Sequence, residues 1–197
     1  HPSFTGGAII ENVTLNGDAN NINVSTPGAA DGYEDYTALM YADITEGQPY
    51  TVNVTLNGIT GSGALQDLSG AKVYIDYNID GDFDDPDEEV GIIPYRTTST
   101  LGIAESITFT VPSTGVYGPT RMRVVSQSLA SLDANNVGPC DEPISFTQPW
   151  YGATEDYSIV LNVPATYQWL NSSGGIMPGG TNGSISGLAS GTYSVDI

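Results

Sequence analysis

Residues 76–90 read DYNIDGDFDDPDEEV, and eight of these fifteen are Asp or Glu with no Lys or Arg among them. Neighbouring carboxylates repel, so such a loop closes only around something cationic. The chain is poor in its own cations: 4 Lys plus Arg stand against 23 Asp plus Glu, a formal net charge of −19. The spacing points to a metal ion instead. Asp76, Asn78, Asp80, Gly81, Asp82, Asp84 and Asp87 follow the order of an EF-hand-type calcium loop. Side chains at the first, third and fifth positions converge on one point, and Gly81 permits the sharp turn. Asp82 offers its backbone carbonyl, and Asp84 ligates directly or through water. Asp87 is the expected closing ligand, or Glu88 if Pro86 shifts the register. A donor set made only of oxygen selects Ca²⁺ over Zn²⁺ or Cu²⁺. The segment before the loop, VYIDY, has strand character, so the expectation is the loop without the EF-hand helices.

Other constellations are simpler. GYEDYTAL (32–39) and GATEDYSIV (152–160) repeat Glu-Asp-Tyr at a strand start. Glu34, Asp35, Glu155 and Asp156 are therefore candidates for a second acidic site, or for ion pairs with Arg121 and Arg123. These two arginines share one strand face and make up half of the basic residues. Trp150-Tyr151 could present an aromatic platform to a sugar ring, or pack on the rim of the fold. Catalysis is not expected. The one histidine is His1, which leaves no Ser-His or Cys-His pair and no zinc set.

These residues must be positioned by strands. Helical periodicity is almost absent, while alternation runs through TVNVTLNG (51–58), AKVYIDY (71–77), ESITFTVP (105–112), TRMRVVSQS (120–128) and EDYSIVLNV (155–163). AIIENVTL (8–15), EDYTALMY (34–41) and a short run near Glu89–Pro94 complete eight or nine strands separated by Gly, Pro, Asn and Asp. The expected fold is all-β, an antiparallel sandwich of jelly-roll or immunoglobulin-like type. A boundary is expected near Val163-Pro164, giving a sandwich over 1–163 and a small Gly- and Ser-rich module over 164–197 with strands at TYQWL, GSISGL and TYSVDI. The last of these should be paired within its own module or by a neighbour.

Composition narrows the setting. No run approaches the roughly 20 apolar residues of a membrane span, and phosphate contacts need clustered Lys and Arg, so neither membrane insertion nor nucleic acid is expected. Scarce Lys, abundant Gly, Thr and Asn, and a lone Cys140 suit an extracellular chain that uses metal rather than disulfides as its staple. His1-Pro2, with neither Met nor leader, reads as the start of a mature or excised piece.

The terminal run YGATEDYSIVL is similar to the closing signature of GEVED domains, named for Gly-Glu-Val-Glu-Asp. Gly152, Glu155 and Asp156 match, while Ala153 and Thr154 depart. KVYIDYNIDGDFDDPDEEVG resembles the strand and acidic loop of that family, TRMRV its Arg-bearing strand, and GPCDEP the segment of a family Cys. The likeness extends over residues 8–163. The tail, TYQWLNSSGG…ISGLASGTYSVDI, resembles SprB-type adhesin repeats. The resemblance implies a secreted, cell-surface, multi-domain bacterial protein, typical of type IX export in Bacteroidota. It also implies a non-catalytic role, either in a calcium-stabilised adhesin or filament whose partners are neighbouring domains or subunits, or as a glycan-binding accessory module of a secreted hydrolase.

Overall fold

The computed structural model describes residues 9–25, 32–57, 69–94, 102–128, 138–140 and 152–197. The chain divides into two compact units, His1–Asn162 and Val163–Ile197.

The first unit is built from strands, with no helix among its described residues: β1 (Ile9–Asn16), β2 (Asn21–Ser25), β3 (Tyr33–Asp35), β4 (Tyr41–Thr45), β5 (Pro49–Asn57), β6 (Ser69–Ile75), β7 (Glu89–Ile93), β8 (Ala104–Thr110), β9 (Gly118–Ser128) and β10 (Gly152–Asn162). One sheet has the order β2-β1-β5-β8, and the other has β3-β10-β9-β6-β7 with β4 also on β10. Alternating apolar residues from both sheets form one core. Val13, Leu15, Val52, Val54 and Ile107 come from the smaller sheet, and Val73, Ile75, Met122, Val124, Tyr157 and Ile159 from the larger. Burying two such faces against each other is what makes the pair of sheets stable.

The larger sheet is mixed, not purely antiparallel. β3 and β4 both run parallel to β10, one after the other along the same edge. EDYTALMY is therefore not one strand. The Asp35 carboxylate accepts the Thr37 N–H at 2.9 Å and the Thr37 hydroxyl at 2.6 Å, a local turn that breaks the strand before Tyr41 resumes it.

In the second unit β11 (Gln168–Asn171) pairs antiparallel with β12 (Tyr193–Asp196), so the TYSVDI strand is paired within its own unit. GSISGL is not a strand; it is bends and irregular chain. Gly187 within it has φ 72°, a left-handed conformation that interrupts an extended run.

Candidate functional site

β6 ends at Ile75 and delivers Asp76 to the mouth of the acidic loop, where it is buried. Its two oxygens accept the N–H groups of Asp80 (3.2 Å) and Gly81 (3.1 Å), folding the loop back on the strand end. Gly81 takes φ 97°, which an L side chain rarely adopts. The turns continue in steps of two. The Asn78 side-chain oxygen accepts the Asp80 N–H, Asp80 accepts the Asp82 N–H and Asp82 accepts the Asp84 N–H, at 3.0–3.2 Å. Ile79 has φ 60°, an outlier for a β-branched residue, while its side chain packs against the core. The loop therefore holds strain of order 1–2 kcal/mol in a region crowded with charge.

One carboxylate oxygen each from Asp80, Asp82 and Asp85 lies within 4.8 Å of the others, so this exposed group could hold a metal ion. Oxygens sharing one Ca²⁺ at 2.3–2.6 Å are at most about 5 Å apart, so the spacing fits a single hard cation. The Asn78 amide nitrogen donates to Asp80 (2.9 Å) and Asp85 (2.7 Å), which marks the same point as a focus of negative charge.

The carboxylate group overlaps the expected ligands only in part. Asp85, which the spacing does not single out, joins Asp80 and Asp82, whereas Asp84 and Asp87 lie outside that group. Asp82, expected to offer its backbone carbonyl, also has a carboxylate oxygen in the group. Asp87 sits at φ 75° beyond Pro86, which turns its side chain to a separate hollow beside Tyr77 and Phe109. Glu88 folds back in its place, 1% exposed, accepting the Tyr77 N–H at 3.1 Å and the Asp85 N–H at 3.3 Å. Burial, and then the nearby Asp76 charge, push the Glu88 carboxyl above its ordinary range, although the backbone N–H groups of Asp85 and Tyr77 pull the other way. Glu88 and Asp76 thus shape the loop from beneath, and Asp80, Asp82 and Asp85 present the charge.

The four carboxylates of the Glu-Asp-Tyr segments do not form one site. The two segments lie side by side in parallel register, Glu34 opposite Glu155 and Asp35 opposite Asp156. Strand alternation then separates them. Glu155 faces inward with Tyr157, whose hydroxyl donates to it, and the Tyr36 hydroxyl likewise donates to Glu34. The Tyr36 and Tyr157 rings stack with centroids 5.6 Å apart. The Tyr157 hydroxyl is held protonated, first by burial and then by the Glu155 charge.

Asp156 faces outward yet is fully buried. Arg123 grips it with both arms, Nε to Oδ1 at 2.6 Å and Nη2 to Oδ2 at 2.7 Å. Arg121 adds an ion pair at 3.3 Å, and the Tyr33 hydroxyl donates at 2.8 Å. The ion pairs of both arginines go to Asp156, while the Asp35 carboxyl, lowered first by its Thr37 hydrogen bonds, also feels the Arg121 charge. The pairing sits in the body of the sheet, because β10 lies between β9 and the β3–β4 edge. The Arg123 guanidinium carries the Phe83 ring of the acidic loop at 5.1 Å, and Phe83 packs with Tyr74 and Val125. The acidic loop and the closing Glu-Asp-Tyr are thus joined by Phe83, Arg123 and Asp156, a link that no local pattern announces. Trp150 and Tyr151 lie outside the described residues.

A family model for the GEVED domain matches residues 70–160, from within β6 to within the Glu-Asp-Tyr strand β10. No curated protein matches the chain. The matched stretch holds every side chain of the Phe83–Arg123–Asp156 link. It is narrower than the likeness read over 8–163.

Proposed function

We propose that this chain is a non-catalytic, calcium-stabilised module of a secreted, cell-surface adhesin or filament. The observation that carries the reading is the Asp80, Asp82 and Asp85 cluster on a loop whose backbone is already wound by Asp76, Asn78 and Glu88. All of these donors are oxygens and their net charge is strongly negative, which suits Ca²⁺. Mg²⁺, which demands tighter octahedral geometry and keeps its water, suits so open a cluster less well. Asp80, Asp82 and Asp85 would hold the ion, and the Asn78 amide would turn to offer oxygen. The ion supplies charge neutralisation, which lets the loop hold Phe83 against Arg123.

No imidazole is available beyond His1, and among the described residues the buried Arg123–Asp156 ion pair is consumed internally. Neighbouring domains or copies of an extracellular assembly are the partners this reading implies. The test is thermal melting in chelator and in millimolar Ca²⁺. Extracellular calcium sites bind at about 10⁻⁴–10⁻³ M, so calcium should add on the order of 1 kcal/mol. Wild type should melt higher in Ca²⁺, and Asp80→Ala should erase the difference. Identical wild-type curves in both conditions would remove the calcium reading.

A further inference from the structure

A cleft of about 450 Å³ opens beside the acidic loop. Asp76, Asp80 and Phe83 line it from the loop, Arg121 from β9, and Thr37 and Ser158 from the β3–β10 side. Its donors and acceptors are unequal. The Thr37 hydroxyl proton goes to Asp35, that of Ser158 to the Thr37 carbonyl, and that of Thr120, also on the wall, to the Asp76 carbonyl. These oxygens, with the Asp76 and Asp80 carboxylates, can therefore only accept. The donor on the wall is Arg121. Arg121 pairs with Asp156 at 3.3 Å, but Asp156 already has a bidentate partner in Arg123, and the Arg121 side chain is 47% exposed, so it can meet a further anion from the cleft.

A ligand that satisfies such a cleft needs one anionic acceptor for Arg121 and several donors for the acceptor wall. A simple carboxylate lacks the donors, and a neutral sugar lacks the anion. We infer that the cleft binds a uronic acid unit of an acidic polysaccharide, its carboxylate on Arg121 and its ring hydroxyls on Thr37, Ser158 and Asp80. The inference rests on the calcium reading, because without a cation the Asp76–Asp80 wall would repel an approaching anion. It supplies the adhesion module with a ligand class.

The experiment is calorimetric titration of the full chain with a galacturonate trisaccharide in 1 mM Ca²⁺, against a neutral trisaccharide and triglutamate. The galacturonate should bind saturably at one site. Arg121→Gln should weaken it at least tenfold, and Arg121→Lys by less, since Lys keeps the charge and loses the fork. Both controls should bind at least tenfold more weakly than galacturonate. The calcium-dependent melting shift should survive in both variants, which shows that they fold. Equal affinity in wild type and Arg121→Gln overturns the inference, as does triglutamate binding as tightly as galacturonate. A wild-type chain that shows the melting shift but no saturable binding overturns the cleft and leaves the calcium reading standing. A chain with no melting shift takes both down.

Discussion

Asp156 is the residue on which the outer face of the larger sheet depends. A buried carboxylate is tolerated because Arg123 meets both oxygens, with Arg121 and Tyr33 filling the remaining positions. Removing one partner of such a pair leaves an uncompensated charge, at a cost of about 3–5 kcal/mol. Arg123→Ala should therefore cost that much by urea denaturation, since it also removes the ring contact with Phe83. A loss below about 1 kcal/mol would show that Arg121 alone can neutralise Asp156. Glu88 makes the opposite kind of contribution. Its folded-state carboxyl is raised above the ordinary value of 4.5, so the unfolded chain gives up this proton first. Between 4.5 and the raised value the folded state holds the extra proton, and this group's contribution to stability falls as pH rises. In chelator, stability measured by urea from pH 4.5 to 7 should decline more steeply for wild type than for Glu88→Gln. Equal slopes would mean that Glu88 does not titrate in that window.

At the scale of elements, the two Glu-Asp-Tyr segments are a parallel ladder whose tyrosines stack. Stacked aromatic pairs add about 0.5–1.5 kcal/mol beyond their burial. A double-mutant cycle of Tyr36→Leu and Tyr157→Leu should return a coupling in that range. Additive effects would mean that the stack contributes only area. The sequence shows each segment plainly, and its alternation places Tyr157, Ile159 and Leu161 on one face and Asp156 on the other. It does not show that the segments touch, because parallel pairing brings together residues about 120 positions apart with no local signal. Nor does it show the break after Asp35, since the same letters that alternate as a strand also spell an Asx turn. The acidic loop was legible because a metal-loop pattern is local and each letter has its own geometric reason. Its register was not. Asp85 joins Asp80 and Asp82, and beyond Pro86 and the left-handed Asp87 the buried Glu88 turns back to accept backbone N–H groups of the loop. β2 and β4 were missed because five-residue strands with polar outer faces, NINVS and YADIT, carry too little alternation to stand out.

The whole molecule carries a net charge of −19, and eight of its 23 Asp and Glu residues lie in the loop proposed to bind calcium. At physiological ionic strength the Debye length is about 8 Å, so copies approaching within that distance repel unless something binds between or upon them. Sodium can only screen. A divalent ion bound at Asp80, Asp82 and Asp85 removes charge at the surface and can be shared with carboxylates of a neighbouring copy. If the chain is a module of a fibrous assembly, as proposed, association should respond to calcium far more than to sodium at equal ionic strength. Light scattering across matched CaCl₂ and NaCl series should then show growth in the first alone, and Asp80→Ala should behave in calcium as wild type does in sodium. Growth that tracks ionic strength regardless of the cation would reduce the charge to a screening term and separate assembly from the loop. A strictly monomeric particle in both series would rule out self-assembly of this chain.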